Sequence, residues 1–251
     1  MKTIAPSATL RARALDALKV TWPTVLAGSA VINLVSYVLN QIVGAIPAVG
    51  SLLSILLVAL LTVPMMGLTK GVMGYYRGQP LTFDCIRSMF PHWQKVILLY
   101  LWTMLCLMGW LTIGMLPMLI GWAMSAAEAS ALLGLLLIMA GIVLMLVLVI
   151  RAALNYSMSQ CILIDDPSTG VRDTLKKSRA MIHGYRWHCV KVGLPVFIIL
   201  FIAIFVIGAA TAVLPGWLAS LISTVTSVFS GVLSYYFVPV MYEELRRIGR
   251  Q

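Results

Sequence analysis

The chain has 251 residues, of which 61% are hydrophobic and 10% charged, and its formal net charge is +10. Its mean hydropathy is +0.99. A soluble domain carries about 25% charged residues and a disordered chain needs low hydrophobicity, so both classes are excluded and a polytopic membrane protein remains.

In chain order, a basic, helical-looking stretch at 8–19 precedes the first apolar span, 22–42. That span exceeds the roughly 7–15 apolar residues of a cleaved signal, so it is expected to stay in the membrane as an anchor. Gly44, Pro47 and Gly50 separate it from a second span, 49–68. A short amphipathic segment at 83–90 leads to a third span, 96–115. Gly114, Pro117 and Gly121 then interrupt the chain. The segment from Met115 to Ser130 is apolar apart from Glu128, and reads either as an interfacial segment or as part of a longer, kinked third helix. The fourth span is 131–150, the fifth 190–213 and the sixth 217–240, with Pro215 and Gly216 between the last two. Each is near the roughly 20 apolar residues that cross a bilayer. The expected fold is all-α: a six-helix transmembrane bundle of three hairpins, one domain over 1–251, with amphipathic cytoplasmic interfacial helices at 8–19, 83–90 and 168–184.

The bases fix an orientation. Lys2, Arg11, Arg13 and Lys19 precede span one; Lys70, Arg77, Arg87 and Lys95 lie between spans two and three. Seven more, Arg151 to Lys191, lie between spans four and five, and Arg246, Arg247 and Arg250 follow span six. With six spans, all 18 Lys and Arg fall on one side. Lys and Arg are retained in the cytoplasm, so both termini are expected on the cytoplasmic side of the membrane. Trp22, Trp93, Trp187, Tyr235, Tyr236 and Tyr242 sit at inner boundaries, and Trp122 and Trp217 near the outer one, the headgroup depth that amphipathic rings prefer.

Basic stretches followed by Trp recur at 10–22, 83–93 and 171–187. They read either as a threefold repeat or as the ordinary tendency of inner loops to collect bases and Trp. The third is the best defined. Asp165-Asp166-Pro167-Ser168-Thr169 is a helix-start signal, and Val171, Leu175, Ser178, Met181, Ile182 and Tyr185 follow at helical spacing. Asp173 and Lys177 are four apart and suited to pair, and Gly184 is placed to end the helix. Arg172, Lys176, Lys177, Arg179 and Arg186 form a basic face for anionic phospholipid headgroups, each base worth about 1 kcal/mol at the surface. Such a helix either lies flat with its apolar side in the acyl boundary or packs under the bundle as a cover.

Nothing marks an enzyme. There is no G-x-S-x-G elbow, no H-E-x-x-H pair and no P-loop, so no catalytic residue, metal ligand or cofactor is assigned. His92, His183 and His188 read as surface or interfacial histidines, and Cys85, Cys106, Cys161 and Cys189 as unpaired thiols. Asn33, Asn40, Gln41, Asn155 and Gln160 are the polar residues within apolar stretches, and read as interhelical hydrogen bonds or as an ion or substrate path. Arg151 stands out because the apolar run resumes after it through to Ile164. Buried in a bilayer it costs about 2.5–3.5 kcal/mol unless it snorkels. Lys70 has a milder form of the same problem. Arg151, Lys70 and Asn155 are therefore a candidate cytoplasm-facing pocket for an anionic headgroup.

Several strings carry a family resemblance: Leu154-Asn155-Tyr156-Ser157-Met158, Ile162-Leu163-Ile164-Asp165-Asp166-Pro167, and Lys177-Ser178-Arg179 with Met181, Gly184, Arg186 and Trp187. Tyr235-Tyr236-Phe237-Val238-Pro239, Tyr242-Glu243-Glu244-Leu245 and the N-terminal Leu10-Arg11-Ala12-Arg13-Ala14-Leu15 agree. The chain resembles a bacterial family of uncharacterised integral membrane proteins common in Gram-positive bacteria, and departs from it around 115–137, where it carries extra apolar length. The resemblance implies no activity. The reading that follows is a non-enzymatic membrane protein that binds the lipid bilayer's anionic headgroups or a membrane-protein partner and organises the envelope, with no nucleic-acid partner. A transporter or permease subunit for an amphiphilic or peptide cargo is the alternative.

Overall fold

A computed structural model describes residues 5–44, 50–126, 130–211 and 215–250, and every regular element among them is helical. The helices are α1 (Ser7–Gly44), α2 (Gly50–Tyr76), α3 (Trp93–Ala126), α4 (Ala131–Tyr156), α5 (Ser159–Asp165), α6 (Val171–Ile182), α7 (Arg186–Thr211) and α8 (Gly216–Arg250). A 3-10 helix, Phe83–His92, joins α2 to α3. By length and composition, four stretches among the described residues are suited to cross a bilayer: Ser7–Val43, Leu53–Tyr76, Phe83–Ser125 and Leu132–Asp165. Four such helices fit a membrane protein.

The helices are longer than the expected spans. The basic stretch at 8–19 is not a separate interfacial helix but the first turns of α1, which continues across Pro23. It is held because Leu10, Ala14 and Ala17 are buried. The third span does not end at Met115. It runs unbroken through Gly114, Pro117 and Gly121 to Ala126, so the longer-helix reading of this segment holds. Glu128 lies outside the described residues. The supposed breakers are contact points. A Cβ on Gly121 would stand 2.6 Å from the Gly134 carbonyl oxygen, and one on Gly114 2.7 Å from Met145 Cα. A Cβ on Gly141 would meet Met118. These pairings run in opposite directions along the chain, so α3 and α4 pack antiparallel at backbone contact, as small residues permit in apolar helix pairs. Ser130 starts α4 by accepting a hydrogen bond at Oγ from Leu133 N (3.3 Å).

Buried side chains gather at one end of the molecule. Leu10, Met89, Met158, Leu163, Ile182, Tyr236 and Leu245 belong to a single cluster there. Away from it, α3 and α4 present Leu116, Ile120, Leu136, Met139 and Val143 outward. A soluble protein does not leave so much contiguous apolar surface in water.

The three basic segments ending in Trp have different backbones: the head of α1, a 3-10 helix, and α6 with its following turn. Local structure therefore does not repeat. Asn33 and Asn40 donate to the carbonyls of Ser29 and Ser36 on their own helix. Among the described residues they make no bond across helices; an asparagine amide reaches the carbonyl one turn back without needing a neighbour.

Candidate functional site

The buried end joins the N-terminus of α1, the C-terminus of α2, the end of α5 and the last turns of α8 through a charge cluster. Asp165 closes α5 with its side chain 11% exposed. Its Oδ1 forms an ion pair with Arg77 Nη2 at 2.7 Å; its Oδ2 forms one with Arg246 Nη1 at 2.9 Å and accepts a hydrogen bond from the Tyr242 hydroxyl at 2.6 Å. Arg77 also donates through Nε to Glu243 Oε1 at 2.8 Å. One turn-face away, Glu244, 3% exposed, accepts at Oε1 from Arg247 Nη2 at 2.8 Å and from the Ala5 backbone N–H at 3.2 Å. Arg13 lies 3.6 Å from its other oxygen. Nearby, Thr21 and Tyr236 share a buried hydroxyl–hydroxyl bond of 2.8 Å.

The helical spacing of α8 makes this arrangement. Tyr242, Glu243 and Arg246 fall on the side facing α2 and α5, while Glu244 and Arg247, three apart, turn toward α1. A carboxylate withdrawn from water is costly unless paired and hydrogen-bonded, and Asp165 has two arginine partners and one hydroxyl donor. Burial pulls the Arg77 pKa down, but its bonds to Glu243 and Asp165 more than offset this and leave it raised. The carboxylates are engaged by fixed donors, so the cluster acts as a clasp between helix ends.

Asp166 has a separate task. Ser168 donates to it from backbone N (3.2 Å) and hydroxyl, and Thr169 from Oγ1 at 2.5 Å. These bonds hold its carboxyl at about 2, below the ordinary 3.8. They spend the helix-start residues on a turn, so α6 begins at Val171 with Gly170 before it. Lys95 Nζ donates to the carbonyls of Pro167 (2.5 Å) and Ser168 (3.1 Å), tying this turn to the start of α3.

The apolar face of α6 is turned inward. Val171, Thr174, Leu175, Ser178 and Ile182 are buried, and the Ser178 hydroxyl donates to the Asn155 carbonyl at 2.7 Å. Among the two readings for this helix, the structure has it as a cover over the end of α4. Gly184, at φ +92°, turns the chain into α7. Lys176, Lys177 and Arg179 remain exposed. Arg172 stacks 4.6 Å over the Trp102 ring, and the Nε of half-buried Arg186 is enclosed without a hydrogen-bond partner among the described residues. Lys177 does not pair with Asp173. It reaches Thr169 Oγ1 at 3.2 Å and Asp166 at 4.0 Å, and Lys176 takes Asp173 at 3.7 Å. The turn at 166–169 offers Lys177 acceptors that an isolated helix lacks.

Arg151 is exposed on α4, Lys70 half-buried on α2, and Asn155 buried beneath α6, its Oδ1 without a hydrogen-bond partner among the described residues. Among the described residues no hydrogen bond or ion pair joins the three. The clasp residues Asp165, Glu243 and Glu244 escaped the sequence reading as a site, although all three lie in the strings that carry the family resemblance. No curated protein and no solved structure matches the chain. The family model described as "Protein of unknown function (DUF975)" matches residues 1–245, and the chain belongs to that family.

Proposed function

We propose that the chain is a non-enzymatic multi-pass protein of the cytoplasmic membrane that binds anionic lipid headgroups at its basic end. In this reading α7 and α8, 26 and 35 residues long, join the four apolar helices as spans five and six. The three helix pairs then place both termini and all the bases on the cytoplasmic side. The observation that carries the reading is α6: its apolar face is consumed by the protein, yet Lys176, Lys177 and Arg179 stay exposed. A cover built only for packing needs no such row of bases. Headgroups meet it at the surface, where each base contributes about 1 kcal/mol.

The test is native mass spectrometry of the full chain released from nanodiscs that mix neutral and anionic phospholipid. Wild type is expected to retain the anionic lipid selectively. The triple variant Lys176→Gln, Lys177→Gln, Arg179→Gln is expected to lose that selectivity while keeping its fold. Equal retention by both proteins overturns the reading.

A further inference from the structure

Between α2, α3, the joint of α4 with α5, and α8 lies a cavity of about 360 Å³ that the clasp does not use. Met66, Leu99, Leu107 and Val238 form apolar walls. Met104, 40% exposed, stands at its edge, so the cavity opens along the outer side of α3. The threonines that line it are already satisfied: Thr62, Thr69 and Thr103 donate to carbonyls of their own helices at 2.6, 3.2 and 2.8 Å. Three other lining groups, the hydroxyls of Tyr100 and Tyr235 and the amide of Gln160, have no hydrogen-bond partner among the described residues. This mixture of apolar wall and a few free polar groups is the usual make-up of a small-ligand site, and the volume falls within the usual range for one.

Charge selects the occupant. Lys70 lies one helical turn beyond Met66 on α2, toward the basic end, and is half-buried. Among the described residues it has no ion-pair or hydrogen-bond partner, whereas Arg77, two turns further on, is matched by Asp165 and Glu243. A half-buried ammonium without a counter-charge is costly, and an anion at the edge of the cavity relieves that cost. A helix, about 10 Å across, is too thick for the space; a single hydrocarbon chain is not. We propose that this cavity holds the acyl chain of an anionic amphiphile, with Lys70 meeting its headgroup. The inference rests on the chain being embedded in a membrane and is independent of the basic face of α6.

The probe is a diazirine-bearing palmitic acid, photolysed with the full chain in neutral phosphatidylcholine nanodiscs and mapped by peptide mass spectrometry. Label is expected on peptides covering 96–107 and 235–238, saturating with probe and displaced by unlabelled palmitate. Displacement by phosphatidylglycerol as well assigns the site to a lipid chain; displacement by palmitate alone assigns it to a free fatty acid. Lys70→Gln is expected to weaken the acid probe about fivefold, the worth of one base against an anionic headgroup, and to leave a diazirine fatty alcohol unchanged. Thr103→Phe, which fills the cavity, is expected to remove the labelling by both probes. If that variant does not fold, saturation in wild type decides. The triple α6 variant is expected to label as wild type does, which separates this site from the headgroup-binding face. Labelling that never saturates and spreads evenly over the exposed faces of α3 and α4 overturns the proposal, as does equal labelling of wild type and Lys70→Gln by the acid probe.

Discussion

Asp165 is the residue on which the basic end turns. It takes Arg77, Arg246 and Tyr242 on its two oxygens, so Asp165→Asn leaves two partly buried arginines short of an anion. Both guanidinium groups keep some water, which screens the loss, and the expected destabilisation is about 1–3 kcal/mol. A thermal-shift assay in detergent reads it, with exposed Lys176→Gln as the control that leaves the midpoint in place. Asp166 gives a pH signature of its own. Its folded pKa, about 2, lies below its ordinary 3.8, so its contribution is complete above the ordinary value and is lost as pH falls through about 2. The difference in stability between wild type and Asp166→Asn is expected to shrink across that window and to stay constant above it. The chain has only eight acidic residues, and three of them form the clasp. Their scarcity beside many bases was a signal available in the sequence. Arg151 and Lys70 stand out more in the sequence, because a base within an apolar run is anomalous, whereas an acid at a helix end is ordinary until its distant partners are known.

Helix α3 shows what periodicity and turn chemistry read well and what they read badly. The apolar run is legible from Val96; the helix itself begins three residues earlier, at Trp93, and its end is not legible. Gly114, Pro117 and Gly121 carry the composition of a turn, yet they sit inside a 34-residue helix. Glycine breaks a helix when its backbone is left to water, but against α4 it admits backbone contact, and no local rule distinguishes the two cases. Gly121→Ala therefore discriminates. The added Cβ meets the Gly134 carbonyl oxygen at 2.6 Å, which cannot move as a flexible side chain can. Overpacking of this kind costs about 1–3 kcal/mol. A fall in the thermal midpoint is expected, with Gly109→Ala, where a Cβ meets nothing within 4 Å, unchanged or slightly raised. Equal midpoints for the two variants contradict the close α3–α4 contact. The apolar face and closing glycine of the amphipathic helix are legible in the sequence, but its start is not, because Asp166 spends Ser168 and Thr169 on a turn.

At the scale of the molecule, the buried core and the charges of the described residues share one end, and the exposed apolar side chains of α3 and α4 lie away from it. This is the distribution expected when lipid, not water, surrounds the long helices. The contacts Ala5–Glu244, Arg77–Asp165 and Lys95–Pro167 bring helix ends far apart in sequence to that end. The one-sided bases had already implied such a gathering, since charge asymmetry survives in sequence even where hairpin geometry does not. Which partner each charge takes is set by tertiary packing and is silent in the sequence. At about 1.5 Å per residue, α3 is about 51 Å long, more than the roughly 30 Å hydrocarbon core, so a bilayer that it crosses requires it to tilt or project.

The central claim is that the clasped basic end lies on the cytoplasmic side of a six-span chain. It is tested most directly by labelling single cysteines, introduced in a cysteine-free background, with an impermeant maleimide in intact cells. Cysteines at positions 78, 168 and 250 are expected to stay unlabelled until the membrane is permeabilised, and those at 47, 128 and 214 to react at once. Labelling of position 78 or 168 in intact cells, or opposite behaviour of the two, contradicts the account.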